Sequence, residues 1–279
     1  MFSPLVEALL YATSIWAIFL ILRVVRFPDI SADNVFSLGS IGGAFVLLRT
    51  NSIGAALVAA FALGAAAGAT TSVLHSLLRV PKLLAGVIMF SVLYSINLKF
   101  FGKPNVSLGL VSFPLNSIFI AVIVDLLIVV LISFGLRTKL GHSLIGLGEN
   151  PSILAEFGAP RPILLAIGLA SAGGLFATSG FLASLRFGFS DVSLGAGVLV
   201  NSVAALLVGE VCANAARGRW MPVFLFLGGL LYFAVTYVVV RYLTFGLLDY
   251  SDYKIVSAGL IVILFALNKR RPIDLMSFS

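Results

Sequence analysis

The sequence predicts an all-α integral membrane protein with about nine transmembrane helices, one of them short or broken. Of its 279 residues, 60% are apolar and 10% are charged, whereas soluble domains carry about 25% charged residues. Apolar runs separated by charges, Pro and Gly recur along the chain, and each is read as one candidate span. The runs cover residues 5–22, 36–48, 53–76, 83–98, 115–135, 162–184, 195–215, 220–241 and 254–268.

The second run is too short for an ordinary span. Its 13 residues reach only about 20 Å as a helix, against a hydrocarbon core of about 30 Å. We therefore expect this segment to be broken, re-entrant or buried within protein. All the runs together form a single transmembrane domain over residues 1–279.

The positive charges indicate the orientation of the chain. Counting loops alternately, 12 of the 18 Lys and Arg residues fall on one side, which the positive-inside rule makes cytoplasmic. The N-terminus is then outside and the C-terminus inside, and residues 137–161 form the longest cytoplasmic loop. The net charge of +7 is explained by this topology signal, so no nucleic-acid partner is expected.

A short sequence pattern that occurs twice in the chain suggests an inverted repeat. Ser37-Leu38-Gly39-Ser40 opens the second span and Ser193-Leu194-Gly195-Ala196 opens the seventh. Spans one to four and six to nine would then be inverted halves on either side of span five, a common basis for alternating access. Gly64 with Gly68, and Gly39 with Gly43, have the spacing that lets helix backbones approach closely.

Catalytic chemistry is not expected in this chain. It contains no Gly-x-x-x-x-Gly-Lys-Ser/Thr run for binding nucleotide phosphates. Cys212 is the only cysteine, and His75 and His142 have no partner at helical spacing for a metal ion. We therefore expect no catalytic residue, no metal and no cofactor in this chain.

Two groups of polar residues within the spans are candidates for a transport role. Ionisable groups are costly in a membrane, and Asp125 and Glu210 are expected either to make structural hydrogen bonds or to act in transport. Uncharged and acidic groups near helix breaks can replace the hydration shell of a polar solute, or they can bond helices together. The predicted pathway residues are Asp33, Asn34, Ser37, Tyr94, Asn97, Asn201 and Ser202.

The cytoplasmic loop 137–161 has the pattern of short amphipathic helices lying along the membrane. Asn150-Pro151 would begin the second of them. Such a loop is either a docking surface or an interfacial helix without a partner. The residues predicted to contact another protein are Leu144, Leu147, Glu149, Asn150, Ile153 and Glu156.

Three blocks carry a resemblance to a known family. They are residues 27–39, residues 84–97, and residues 138–158 with their Gly148-Glu149-Asn150-Pro151 core. Together with Gly209-Glu210, they resemble permeases of ABC importers of the branched-chain amino acid and ribose type. Within that superfamily, the chain is most similar to the branch of tryptophan/tyrosine transport permeases.

The resemblance implies a multi-pass permease of the bacterial inner membrane that moves a small polar solute, such as an amino acid, by alternating access. Its expected partners are a second permease copy, an extracytoplasmic solute-binding protein and two cytoplasmic ATPase subunits that bind ATP and Mg²⁺. Loop 137–161 would be the coupling segment. The alternative is a stand-alone carrier in which Asp125 or Glu210 binds a coupling proton or sodium ion.

Overall fold

The computed structural model describes residues 4–100, 105–108, 116–150, 160–216 and 221–242, with isolated residues 259 and 262. A π-helical segment, Leu20–Val25, directly continues the first helix. A short antiparallel ladder pairs β1 (Asn105–Ser107) with β2 (Phe189–Asp191). The helices are α1 (Pro4–Phe19), α2 (Ala32–Thr50), α3 (Ile53–Ser76), α4 (Lys82–Phe100), α5 (Asn116–Gly135), α6 (Lys139–Glu149), α7 (Arg161–Phe187), α8 (Val198–Ala216) and α9 (Met221–Tyr242).

Eight of the nine predicted spans correspond to these helices, and α6 lies in the predicted cytoplasmic loop. Among the described residues, α3, residues 82–99 of α4, and α7 are each long and apolar enough to cross a membrane; four further apolar helical stretches are shorter. Apart from residues 259 and 262, the predicted ninth span lies outside the described residues. The total of nine spans and their orientation therefore stay predictions.

The long helix α7 is the centre of the domain, and its most extensive contact is with α3. Small residues bring the two backbones together, as the glycine spacing predicts. A Cβ atom added at Gly64 would lie 2.2 Å from the carbonyl oxygen of Gly173, and one at Gly68 would lie 2.0 Å from that of Leu169. Helix α2 packs on α7 in the same way, since a Cβ atom at Gly39 would lie 2.0 Å from the carbonyl oxygen of Ala177.

The prediction of a short or broken second helix is wrong in its length and partly right in its environment. Helix α2 is continuous over 19 residues, and 13 of them are buried. It starts four residues before the apolar run because polar side chains in its first turns find hydrogen-bond partners in neighbouring elements. Its burial agrees with one of the three predicted possibilities, a segment buried within protein.

The irregular backbone lies instead just before α8. Between Gly188 and Gly197 the chain forms β2 and a series of turns, and both glycines have positive φ angles, 72° and 88°. The predicted start of the seventh span at Gly195 is therefore early, because α8 begins at Val198. We refer to residues 188–197 as the α7–α8 connection.

The two similar Ser-Leu-Gly blocks do not occupy equivalent positions in the fold. The first block is helical within α2, whereas the second lies in turns of the α7–α8 connection. The blocks nevertheless touch, since the backbone N–H of Gly195 donates to Ser37 Oγ at 3.0 Å. The two similar segments are thus in contact with each other, and their similarity gives no support to an inverted repeat.

Candidate functional site

The polar face of α2 holds the α7–α8 connection in place. Ser40 Oγ and Ser190 Oγ are 2.7 Å apart. One turn earlier, Ser37 Oγ donates to the carbonyl oxygen of Val192 at 2.8 Å while it accepts from Gly195. Irregular backbone cannot be left without partners in an apolar environment. The serines of α2 supply part of the hydrogen bonding that this connection requires.

Asp33 continues this row and caps α8 from a different element. Its Oδ2 accepts from the backbone N–H of Gly197 at 2.9 Å, and its Oδ1 accepts from that of Leu199 at 2.7 Å. The first N–H groups of a helix have no partner within the helix and carry partial positive charge. The carboxylate of Asp33 therefore neutralises the start of α8 and joins it to the start of α2.

Two of the three asparagines in the predicted pathway connect α2 to α4. Asn34 Nδ2 donates to the carbonyl oxygen of Phe90 at 2.7 Å, and Asn97 Nδ2 donates to that of Asn34 at 3.0 Å. Asn97 is fully buried, and its Oδ1 has no partner among the described residues. Tyr94, one turn before Asn97 on α4, is 48% exposed.

The remaining two predicted pathway residues lie on α8. Ser202 is buried and its Oγ is 2.7 Å from Ser14 Oγ of α1. Asn201, its neighbour, is half-buried. The structure therefore brings Asp33, Asn34, Ser37 and Asn97 together around α2, places Ser202 against α1, and leaves Tyr94 exposed on α4.

Each predicted ionisable group of the spans has a partner on α1 or on the π-helical segment that continues it. Thr13 Oγ1 donates to Asp125 Oδ1 at 2.7 Å, and Asp125 Oδ2 is buried without a partner in the described part of the chain. Glu210 accepts from both Nε and Nη2 of Arg23, with a distance of 2.6 Å between Nη2 and Oε2. Sequence reasoning placed Arg23 in a loop and missed this pair, although its position at the predicted cytoplasmic end of the first run matches that of Glu210.

Two sizeable cavities are lined by the described residues, and both are apolar. One, of about 380 Å³, lies between the end of α3 and the start of α7. The other, of about 320 Å³, lies between α5, α6 and α7 and borders the π-helical segment. Within the described ranges, no group of three His, Cys, Asp or Glu side chains is arranged to hold a metal ion.

Comparison with known proteins identifies the family. A family model described as the permease component of branched-chain amino acid transport systems matches residues 1–266. The chain belongs to this family. This confirms the resemblance seen in the sequence.

Two curated relatives match most of the permease. It is 31% identical, over 74% of its length and 72% of the relative's, to a tyrosine transport system permease protein of Clostridioides difficile (strain R20291). It is 28% identical, over 75% of its length and 76% of the relative's, to an uncharacterized protein of Rickettsia prowazekii (strain Madrid E). No solved structure gives a significant match.

In the permease, the predicted coupling segment contains the helix α6. Thr138 caps it, since Thr138 Oγ1 accepts from the backbone N–H of Gly141 at 3.2 Å. Leu147 is buried and Leu144 is half-buried, both packed against the permease's own core. Glu149 Oε1 lies 3.6 Å from Arg26 Nη2. These three predicted contact residues therefore face the permease itself at least in part.

The start of α6 is open to another protein. Leu140 lies on the same helix face as Leu144 and Leu147 but is 49% exposed, and Lys139 and His142 are exposed beside it. Asn150, at the end of the helix, is also exposed. The other predicted contact residues, Ile153 and Glu156, and the predicted second helix of the loop lie outside the described residues.

Proposed function

We propose that this permease is the membrane-spanning subunit of an ATP-driven ABC importer that moves an amino acid across the bacterial inner membrane by alternating access. The observation that carries the proposal is α6, a capped amphipathic helix that is packed on the membrane domain through Leu144 and Leu147 and is exposed at its start around Leu140. Family membership and the apolar helices support it. The name of the Clostridioides relative favours an aromatic amino acid as solute.

The proposed assembly contains two permease copies, two cytoplasmic ATPase subunits and an extracytoplasmic solute-binding protein. ATP and Mg²⁺ would bind to the ATPases, since the permease sequence has no phosphate-binding loop. The N-terminus would be outside and the C-terminus inside, as the distribution of positive charges predicts. The coupling surface of the permease would be the exposed start of α6 around Leu140.

Replacing Leu140 with aspartate tests this coupling surface. A charge introduced at the centre of an apolar docking contact costs about 2 kcal/mol or more, which is roughly thirtyfold in affinity. We expect Leu140→Asp to abolish co-purification of the ATPase while the permease still inserts and folds. Leu140 is suited to this test because it is exposed, whereas Leu147, which is buried, would alter the fold as well.

The matched control is Leu78→Asp, because Leu78 is 66% exposed in the turn after α3, on the same predicted side of the membrane. This variant should keep its ATPase. If Leu140→Asp retains both the ATPase and solute-stimulated hydrolysis, α6 is not the coupling element. The carrier coupled to protons or sodium would be favoured only if the wild-type permease itself neither co-purifies with an ATPase nor shows solute-stimulated hydrolysis. Asp125, whose Oδ2 has no partner among the described residues, would then be the ion site.

For the solute pathway we propose the exposed face of α4 that carries Ser91, Tyr94 and Ser95. Polar groups near the middle of a span are unfavourable against lipid and commonly face protein or a water-filled path. The remaining predicted residues would lie on the buried side of α4, behind this exposed face, because Asn34 and Asn97 bond α4 to α2. A second permease copy facing α4 would close the path.

Tyr94→Ala is expected to lower solute uptake about tenfold, through loss of an aromatic and hydroxyl contact of about 1.4 kcal/mol. Assembly with the ATPase should be unchanged, since Tyr94 is exposed. Val92→Ala is the control, because Val92 is 44% exposed on another part of the α4 surface. Equal uptake by both variants and the wild type, measured in reconstituted vesicles, would exclude this face of α4.

A further inference from the structure

We propose that the ion pair between Arg23 and Glu210 transmits movement of α6 to α8, and so couples the cytoplasmic surface of the permease to its polar centre. The inference rests on the proposed function of α6 as the coupling helix. Arg23 and Glu210 then have a positioning role in transport. Three consecutive contacts support this inference.

The first contact is between α6 and the π-helical segment. Gly148 packs so closely that a Cβ atom there would lie 2.1 Å from the carbonyl oxygen of Val24. Arg26, at the end of the same segment, is 3.6 Å from Glu149. Closely packed interiors have little free space and transmit displacement. A shift of α6 must therefore move the π-helical segment with it.

The second contact is the ion pair itself. Arg23 belongs to the π-helical segment and bonds both carboxylate oxygens of Glu210 on α8. Two parallel hydrogen bonds fix the orientation as well as the distance of the two side chains. Glu210 is completely buried, whereas the side chain of Arg23 is 38% exposed. Because a buried charge without its partner is strongly unfavourable, α8 should follow Arg23 rather than separate from it.

The third contact lies at the other end of α8. Its first N–H groups are held by Asp33 of α2, and Ser202 is bonded to Ser14. A helix moves as a rigid element, so displacement at Glu210 reaches the start of α8 three turns away. There it acts on α2, whose Asn34 is bonded to α4. The contacts thus form one continuous route from α6 to the helix that carries Tyr94.

Two features favour a role in transport over a purely stabilising one. A buried ion pair commonly contributes no more stability than well-packed apolar side chains of similar volume. In addition, Arg23 is presented by π-helical backbone, a rare geometry that occurs frequently at functional sites. Here the π-helical segment contacts both α6 and α7 as well as α1, which places it where a cytoplasmic movement enters the membrane domain.

The experiment compares the wild-type complex with the double variant Arg23→Met/Glu210→Met, reconstituted with its ATPase and binding protein in vesicles. Paired methionines remove both charges together and leave neither charge unpaired. We expect the double variant to assemble and to hydrolyse ATP near the basal wild-type rate. The number of solute molecules transported per ATP should fall at least tenfold, and Glu210→Gln should show the same loss where it assembles.

The outcomes separate this inference from the proposed function. A double variant that transports as much solute per ATP as the wild type would show that the pair has no role in transmission. A double variant that fails to assemble would make the pair a structural one and would equally overturn the inference. If the wild-type permease itself neither binds an ATPase nor uses ATP for uptake, the proposed function is wrong, and the inference that rests on it is wrong as well.

Discussion

Replacing Gly68 with alanine is expected to leave little folded permease. Gly68 faces the backbone of α7, and an added Cβ atom would lie 2.0 Å from the carbonyl oxygen of Leu169. The obstacle is main chain in the middle of a helix, so no side chain can rotate away. The α3–α7 contact is also the most extensive in the described structure. Forcing these helices apart should cost about 3 kcal/mol or more.

Gly54→Ala is the matched control for this prediction. Gly54 lies in the first turn of the same helix, and a Cβ atom there would meet nothing within 4 Å. Alanine should be neutral or stabilising by about 0.5–1 kcal/mol, because glycine weakens a helix. Yield and thermal unfolding of the detergent-purified permease would be measured for both variants. Equal yields and unfolding temperatures would show that the close approach of α3 and α7 is not required.

The second large effect is expected from Asp33→Ala. This change removes the carboxylate that accepts from Gly197 and Leu199 and leaves the start of α8 without its cap. Loss of a cap costs about 1 kcal/mol, and an N–H group left without a partner in this partly buried site adds about 1–3 kcal/mol. We expect the permease to lose about 3 kcal/mol of stability, with a corresponding fall in unfolding temperature.

The variant Asp33→Asn distinguishes a cap from a solute contact. The amide oxygen can still accept one of the two hydrogen bonds, so about half of the stability loss should remain. If Asp33 acted only by touching solute, both variants would unfold like the wild type and would differ from it only in uptake. An unchanged unfolding temperature for Asp33→Ala would therefore contradict the capping role and support the original pathway interpretation.

The sequence alone identifies the membrane class, the approximate positions of eight described helices and the amphipathic character of α6. These features depend on local composition and periodicity, which a single segment displays without reference to its neighbours. The glycines at positions 64 and 68 also reveal a packing face by their spacing alone. Asp33, Ser37 and Asn97 could be singled out because polar groups in apolar surroundings are conspicuous.

The roles of those polar groups depend on tertiary structure. Whether Asp33 contacts solute or caps a helix is decided by which backbone N–H groups lie beside it, and these come from residues 164 and 166 positions further along the chain. The break in regular structure was expected in α2 but lies before α8, because α2 finds partners for its polar side chains and can continue as a helix. Likewise, the sequence shows Arg23 and Glu210 as separate charges. Only the tertiary structure brings Arg23 to Glu210 and makes them one ion pair, because a charge 187 residues away leaves no local pattern.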